Sequence, residues 1–485
     1  LVAALLAALA CSALADGPAI DPTNMTHVGT VDERFQSYNV EMVEVTGGRF
    51  WKPYGPEPPT AGTDLYAYRP PIDLNNIKLR KLAAALAPAY LRVSGTWANS
   101  TYFSDTDNAP PAPPAGFNGV LTRRHWRAVV DFARAADAKI VMSFAVSPGA
   151  RDAAGVWTPD QARRLLAYTR FLGGRIVAAE FMNEPDLPAI SGAPAGYDAA
   201  AYGRDFKIFR SFAKQTAPEI MVLGPGAAGK APLASDLLAA SGPGVDVFSY
   251  HHYATLSERC IGMSTPEAAL SEAWLVQTDQ ALAFHRTLRN RFEPGKPIWL
   301  TETADAACGG NRWSATFLDT FRYLDQLGRL AKAGVQVVIH NTLAASDYGL
   351  LEETALAPRP NYWAALLWRR LMGTTVLDSG VPIEQGLHVY AHCQRGTPGG
   401  VTVLLINTDR IAPRSLTLSS ASQRYTLDAT SLRSTIVQLN GTTLALDDKD
   451  ELPPIEGLSA PAGTLTFAPA TISFLTIAAG NSACR

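Results

Sequence analysis

Residues 176–184 read IVAAEFMNE and run straight into Pro185. An apolar run of this length, rich in branched and aromatic side chains, predicts a strand buried on both faces, as in a parallel sheet. Working outward, runs of the same kind recur on either side. They are SYNVEMVEV (37–45), AYLRVSG (89–95) and KIVMSFAVS (139–147) before it. MVLGPG (221–226), VDVFSYHHY (245–253), PIWLTET (297–303) and VQVVIHN (335–341) follow. Helical periodicity fills the gaps: Trp126, Val129, Val130 and Ala133 share one face of 122–138, and Phe317, Thr320, Phe321 and Leu324 one face of 313–333. A last helix is predicted over 362–372. Eight strands, each followed by a helix, predict an α/β fold of the (β/α)8 TIM-barrel type. The competing architecture, a doubly wound open sheet, often carries a Gly-rich dinucleotide fingerprint after its first strand, and none is present here.

After about residue 374 the pattern changes to short alternating segments: LHVYAHC (387–393), VTVLLIN (401–407), SLTL (415–418), STIVQLN (434–440), TLTF (464–467) and TISFLTIA (471–478). With the hairpin signal Asn440-Gly441, these predict an antiparallel β-sandwich domain. The expected division is a signal peptide over 1–15, an N-terminal segment over 16–35 adding a strand to the sandwich, a barrel over 36–373 and a sandwich over 374–485. The first of these rests on an apolar run ending in Ala13-Leu14-Ala15, a small-x-small cleavage pattern. It implies a secreted protein.

The 485 residues are 47% hydrophobic, ample for a large core plus a second domain. A net charge of −2 gives no bulk attraction for nucleic acid or an anionic membrane. No membrane span is expected. Beyond the leader, Cys260, Cys308, Cys393 and Cys484 form an even set, which in a secreted chain suggests two disulfides. Cys393 and Cys484 share the sandwich and are expected to pair. Cys260 and Cys308 follow barrel strands on one face and could also pair. No CxxC or HExxH occurs, so no metal or cofactor is expected. Sequons at Asn24, Asn99 and Asn440 are candidate glycan sites.

In a barrel enzyme the chemistry sits at the C-terminal ends of the strands. The fourth predicted strand ends in Asn183-Glu184-Pro185 and the seventh in Thr301-Glu302-Thr303. Each Glu has an ordinary reading as well, Glu184 as an N-cap partner of the next helix. Together, on strands four and seven of one barrel, they are the two carboxylates of glycoside hydrolysis, one a proton donor and one a nucleophile. His251, His252 and Tyr253 close strand six, where a histidine is more often a satisfied structural group. Trp97, Trp313, Trp363 and Trp368 are possible sugar platforms, the last two more readily core.

LRVSGT (91–96), NEPD (183–186), HHY (251–253), ETADAACGG (302–310) and PNYWAALLWRRLMGTTVL (360–377) together resemble the heparanase-like enzymes, family 79 of the glycoside hydrolases, within the clan of retaining barrel glycosidases. The resemblance implies a β-glucuronidase with Glu184 as acid/base and Glu302 as nucleophile. It implies that Asn183 bonds the sugar 2-hydroxyl and that Glu41, Thr96, His251 and Tyr253 line the sugar site. It places the backbone N–H groups of Gly309 and Gly310, with Tyr348, on the uronic acid carboxylate. A Cys393–Cys484 bridge also matches the family. Unlike the animal heparanases, the chain lacks the long excised linker, with only DNAPPAPPAGFNG between Tyr102 and Trp126. Its basic pairs are few: Arg123-Arg124 and Arg369-Arg370 lie on predicted helices, as solvated faces. The expected partner is therefore a glucuronide-containing carbohydrate of low charge rather than a highly sulphated chain. The same barrel could alternatively serve an arabinofuranosidase or xylosidase, or a non-catalytic carbohydrate-binding protein.

Overall fold

The computed structural model describes residues 17–55, 65–229 and 232–485; the expected signal peptide lies outside them. Eight strands pair in parallel and close into a ring. They are β1 (Gln36–Glu41), β2 (Ala89–Ser94), β3 (Ala138–Ser143), β4 (Ile176–Glu180), β5 (Met221–Ala227), β6 (Val247–Leu256), β7 (Ile298–Ala307) and β8 (Val337–His340). The ring closes where Val338 and His340 of β8 register with Gln36 and Tyr38 of β1. A helix follows every strand: Ile77–Ala85, Arg123–Ala135, Asp160–Phe171, Ala199–Thr216, Pro232–Ser241, Gln277–Phe292, Phe317–Lys332 and Pro360–Leu371.

Strand periodicity sorts the side chains. Tyr90, Val141, Ala178, Leu223, Val247, Trp299 and Val337 meet inside the barrel, while Leu91, Ile140, Val222, Phe248 and Leu300 pack outward under the helices. Both phases are apolar at the base, which is why the strands read as continuous hydrophobic runs. Two residues further along the inward phase five of these seven strands turn polar, at Arg92, Ser143, Glu180, Ser249 and Thr301, all buried, while Pro225 and Ile339 stay apolar. The interior thus changes from packing to chemistry within one step of the pleat.

The structure corrects the first strand. Pairing stops at Glu41, and Met42–Thr46 is a short helix, not the continuation of a strand over 37–45. The Glu44 carboxylate accepts the Glu41 N–H at 2.7 Å, a helix-start contact that the apolar run conceals. Met42, Val43 and Val45 are buried in the helix, as they would be expected to be in a strand, so hydrophobicity alone does not discriminate. Arg369 is a second correction. It is buried, not solvated, and donates to the carbonyl oxygens of Glu33 and Gln36 at 2.6 Å each, tying the last helix to the foot of β1.

The second domain begins without a linker, because β9 (Met372–Leu377) starts where the last helix ends. Its main sheet runs from His27–Thr30 through β9, β10 (His388–Gln394), β11 (Val401–Asn407) and β13 (Thr471–Ile477) to β12 (Ser422–Asp428). A smaller sheet of Ala19–Ile20, Arg414–Leu418 and Gly463–Phe467 faces it. The segment before the barrel therefore contributes to both sheets. Val401, Val403 and Leu405 fill the space between the sheets, whereas Leu404 and Ile406 join the barrel core. A sheet covered on both faces explains a strand as apolar as VTVLLIN. Asn440 and Gly441, with φ of +53° and +81°, form the tight turn between Gln438–Leu439 and Thr442–Thr443. Both disulfides form, Cys260–Cys308 and Cys393–Cys484. No helix among the described residues is long and apolar enough to cross a membrane.

Candidate active site

The polar strand ends converge on one cavity of about 830 Å³ at the C-terminal mouth of the barrel. Glu41, Thr96, Glu184, Tyr253, Glu302 and Tyr348 all line it. Glu302 leaves β7 inside the ring. Its Oε1 accepts from the Tyr253 hydroxyl at 2.7 Å and its Oε2 from Arg92 Nη1 at 2.8 Å. Glu184 stands beyond the paired part of β4, on a loop where its own φ is +48°. Its Oε1 lies 3.0 Å from His251 Nδ1. The two carboxylates approach closely: one oxygen of each lies within 4.8 Å of the other.

The environments of the two acids differ. Burial and the nearby Glu302 raise the Glu184 carboxyl above the usual range, with the His251 bond opposing them. Burial alone would raise Glu302 too, but His251, Arg92 and the Tyr253 hydroxyl overcome it and hold that carboxyl below its usual range. His251 is pulled both ways. Burial favours the neutral ring, Glu302 and Glu184 the imidazolium, and the balance lies above its ordinary value. Neighbouring acids whose environments separate them in this way are suited to opposite roles.

Arg92 organises the floor. Its side chain donates to Glu180 Oε2 at 2.8 and 3.0 Å, to Glu302, and to Asn183 Oδ1 at 2.8 Å. Glu180 Oε1 accepts in turn from Ser249 and Thr301. Asn341, at the end of β8, points its NH2 at Glu41 Oε1, the Tyr253 oxygen and the Tyr348 oxygen, at 3.1, 3.0 and 3.1 Å. Sequence reasoning missed Arg92, Glu180 and Asn341 as site residues. The signal was present: Arg92 and Glu180 share the inward phase of Tyr90 and Ala178, and a charge there needs a partner.

The remaining candidates are placed as follows. Asn183 is buried behind Glu184, its Oδ1 taken by Arg92. His251 supports both carboxylates from below and is not part of the cavity wall. Gly309 and Gly310 also lie outside the wall, buried against Trp51 and Tyr348 next to the lining residue Cys308. Arg259 holds that turn: it donates to the carbonyls of Lys52, Cys308 and Gly310 and pairs with Asp347. Trp97 lines the cavity, but Trp313 is core, which removes it as a sugar platform. The sequon at Asn99 is also overturned as a glycan site. The side chain is fully buried, donates to the carbonyls of Asn183 and Ser191 at 2.8 Å and accepts the Asn183 N–H. It fixes the Glu184 loop.

Glu184, His251 and Glu302 are also the group with metal-ligand spacing among the described residues. Arg92 already supplies a fixed positive charge there, 2.8 Å from Glu302 and 3.2 Å from His251 Nε2. Glu302 therefore has a fixed counter-charge from the chain itself.

Gly95 sets how closely β2 passes the first acid. Its φ is +86°, and a Cβ there would fall 1.4 Å from Glu41 Oε2. Gly95→Ala is expected to push the Glu41 carboxyl out of place. It should lower kcat/KM at least about tenfold and cost about 1–2 kcal/mol of stability from the backbone conformation. Kinetics and urea denaturation of the purified variant check both.

The sequence model for glycosyl hydrolase family 79, N-terminal domain, matches residues 70–328. Heparanase of Gallus gallus is 30% identical over 374 residues, covering 72% of this chain and 69% of that protein. Heparanase-like protein 1 of Arabidopsis thaliana is 29% identical over 370 residues, covering 72% and 67%. Among solved structures, a 4-O-α-L-rhamnosyl-β-D-glucuronidase from Fusarium oxysporum superposes with a TM-score of 0.67 at 14% identity, covering 95% of this chain and 99% of that one. At that identity the likeness speaks for the fold alone. The family match spans more than half of the chain and contains β2 to β7 with both glutamates, and on this evidence the protein belongs to glycosyl hydrolase family 79.

Proposed function

We propose that this glycosidase is a retaining β-glucuronidase, with Glu302 as nucleophile and Glu184 as acid/base. The observation that carries the reading is the spacing of the two carboxylates, within 4.8 Å. Retaining enzymes need about 5–5.5 Å, and an inverting enzyme needs about 6.5–9.5 Å to admit a water. In the first step a Glu302 oxygen attacks the anomeric carbon as the C1–O bond breaks, and the Glu184 proton passes to the departing oxygen. In the second step Glu184 takes a proton from water, the water oxygen bonds to C1, and Glu302 is released. Asn183, with Oδ1 held by Arg92, keeps its NH2 as the donor to the sugar 2-hydroxyl. Glu41 offers Oε2, a buried oxygen without a hydrogen-bond partner, to a further hydroxyl. The two disulfides suit an oxidising compartment, in keeping with secretion.

The choice of sugar is supported by Tyr348, whose hydroxyl lies on the cavity floor, and by the glycine turn that Arg259 braces beside it. A second reading, a xylosidase or arabinofuranosidase, is favoured by one observation: Gly309 and Gly310 do not reach the cavity wall. The 4-nitrophenyl β-glucuronide, β-xyloside and α-L-arabinofuranoside decide between them. Hydrolysis of the glucuronide at least about 10²-fold faster is expected, because a site with buried carboxylate donors discriminates strongly against a sugar lacking that group. Faster cleavage of either pentoside overturns the glucuronidase reading.

A further inference from the structure

Exposure rises steeply from the floor of the cavity to its rim. Asn341, Tyr348, Glu41 and Glu302 are only 1–6% exposed, whereas Leu256 is 51% and Ile190 68% exposed. The sugar that undergoes reaction must reach the buried acids, so the rim faces what lies beyond that sugar, and the part of it beside Glu184 faces the leaving group. Ile190 sits on the loop that carries the proposed proton donor. The Leu187 N–H bonds the Glu184 carbonyl at 3.0 Å, the Ile190 N–H bonds the Leu187 carbonyl at 3.1 Å, and Asn99 clamps both ends of the turn. The isoleucine is therefore held at the mouth beside the group that must touch the leaving oxygen.

A single exposed aliphatic side chain would mean nothing. Here two come from separate parts of the barrel, the loop after β4 and the last residue of β6, and both line the same opening. Loops after β1 and β2 contribute Trp51, Tyr66 and Trp97, with Trp51 and Tyr66 4.7 Å apart and Trp97 edge-on to Tyr66 at 6.2 Å. Among the described residues, polar recognition at the rim is scarce by comparison. The N–H groups of Ala228 and Gly229, which also line the rim, are already spent on Asp186 at 2.9 and 3.0 Å. Among the described residues Arg49 is the one basic side chain in the cavity wall.

We propose that the leaving-group subsite, bounded by Ile190 and Leu256, takes an apolar aglycone in preference to a further sugar. The proposal rests on the glycosidase reading of Glu184 as the proton donor. Apolar area removed from water at the rim would be the source of affinity, with Arg49 too little to hold a sulphated residue.

The test uses the 4-butylphenyl and 4-(hydroxymethyl)phenyl β-glucuronides, whose phenols are of nearly equal acidity. The intact enzyme is expected to prefer the butyl compound about tenfold in kcat/KM, since the extra methylenes are partly buried at the rim. The Ile190→Ser/Leu256→Ser double variant should bring that ratio to within about twofold of unity. Equal rates on the two compounds with the intact enzyme, an unchanged ratio in the variant, or faster cleavage of a glucuronyl disaccharide than of both aryl compounds would each overturn the proposal. The same two aglycones are also joined to β-xylose and α-L-arabinofuranose. If only a pentoside is cleaved, the sugar assignment fails, and the butyl preference is read on that pentoside, where its presence supports the proposal and its absence overturns it.

Discussion

Glu302→Gln is expected to abolish turnover, lowering kcat on the order of 10⁴-fold or more, while the protein stays folded. The amide keeps the shape of the side chain: its one oxygen can still accept from Arg92, which bonds the carboxylate at 2.8 Å, and its NH2 can donate to the oxygen of Tyr253, whose hydroxyl bonds the carboxylate at 2.7 Å. What disappears is the negative charge that the proposed mechanism uses to attack C1. Glu184→Gln should behave differently. It removes a proton donor, typically about 10²–10⁴-fold in rate, and the loss should shrink on substrates whose leaving group departs without help. The two variants also separate on the pH axis. Burial raises Glu184, so activity that needs its proton persists above the ordinary carboxylate range and falls as pH rises through the raised value. For Glu302, His251 and Arg92 overcome burial and lower the carboxyl, so activity that needs its charge falls only as pH drops below the ordinary range. The kcat/KM profile of the wild type should be bell-shaped, and Glu184→Gln should lose the alkaline limb. Steady-state kinetics across pH on an aryl glucuronide measure all of this. Full activity in both variants would overturn the assignment of roles.

The largest stability effect is expected at Arg92. Its guanidinium is fully buried and bridges Glu180 and Glu302, each 2.8 Å away. Arg92→Leu fills much of the space but strands two carboxylates inside the barrel. Breaking a buried ion pair from one side costs about 3–5 kcal/mol, so the variant should unfold at markedly lower urea or fail to accumulate. The pH dependence distinguishes lost charge from lost packing. Burial alone would raise Glu180, but Arg92 and His251 overcome it and the carboxyl lies below its usual range. A lowered carboxyl contributes stability above its unfolded value, and that stability is lost as pH falls through the folded value. Arg92→Leu lacks this contribution, and its stranded acids can protonate. The stability gap from wild type should therefore narrow as the pH is lowered through the carboxylate range. A gap that is constant with pH would assign the effect to packing.

The inner network also shows what period-two reading can and cannot do. Arg92 follows Tyr90, and Glu180 follows Ala178, at the spacing that keeps a side chain on one face of a strand. Counting phase along AYLRVS and IVAAE therefore aims both charges into the ring. That they meet each other depends on strand stagger around the closed barrel, which no single strand encodes. Asn341 is less legible still. It follows the strand Val-Val-Ile-His, which marks no site, and only the convergence of Glu41, Tyr253 and Tyr348 makes its NH2 a hub. Asn99 shows the reverse error. Its sequon suggests an exposed glycan site, but the same amide proves to be the internal clamp of the Glu184 loop. A triplet pattern carries no information about burial.

By itself the sequence determined the alternation of buried strands and helices, because hydrophobic period is a local property of the chain. It determined the change to short alternating strands near the start of β9, and it placed a glutamate just beyond β4 and another within β7. Tertiary structure decided the rest. It buried Arg369 by supplying two carbonyl acceptors from the foot of β1. It also brought the two carboxylates within 4.8 Å and gave them unlike surroundings, with Arg92 beside Glu302 and not beside Glu184. Distance and local dielectric arise only when separate strands are fixed against one another. That is why a pair of acids visible in the sequence acquires unlike proton affinities only in the folded barrel.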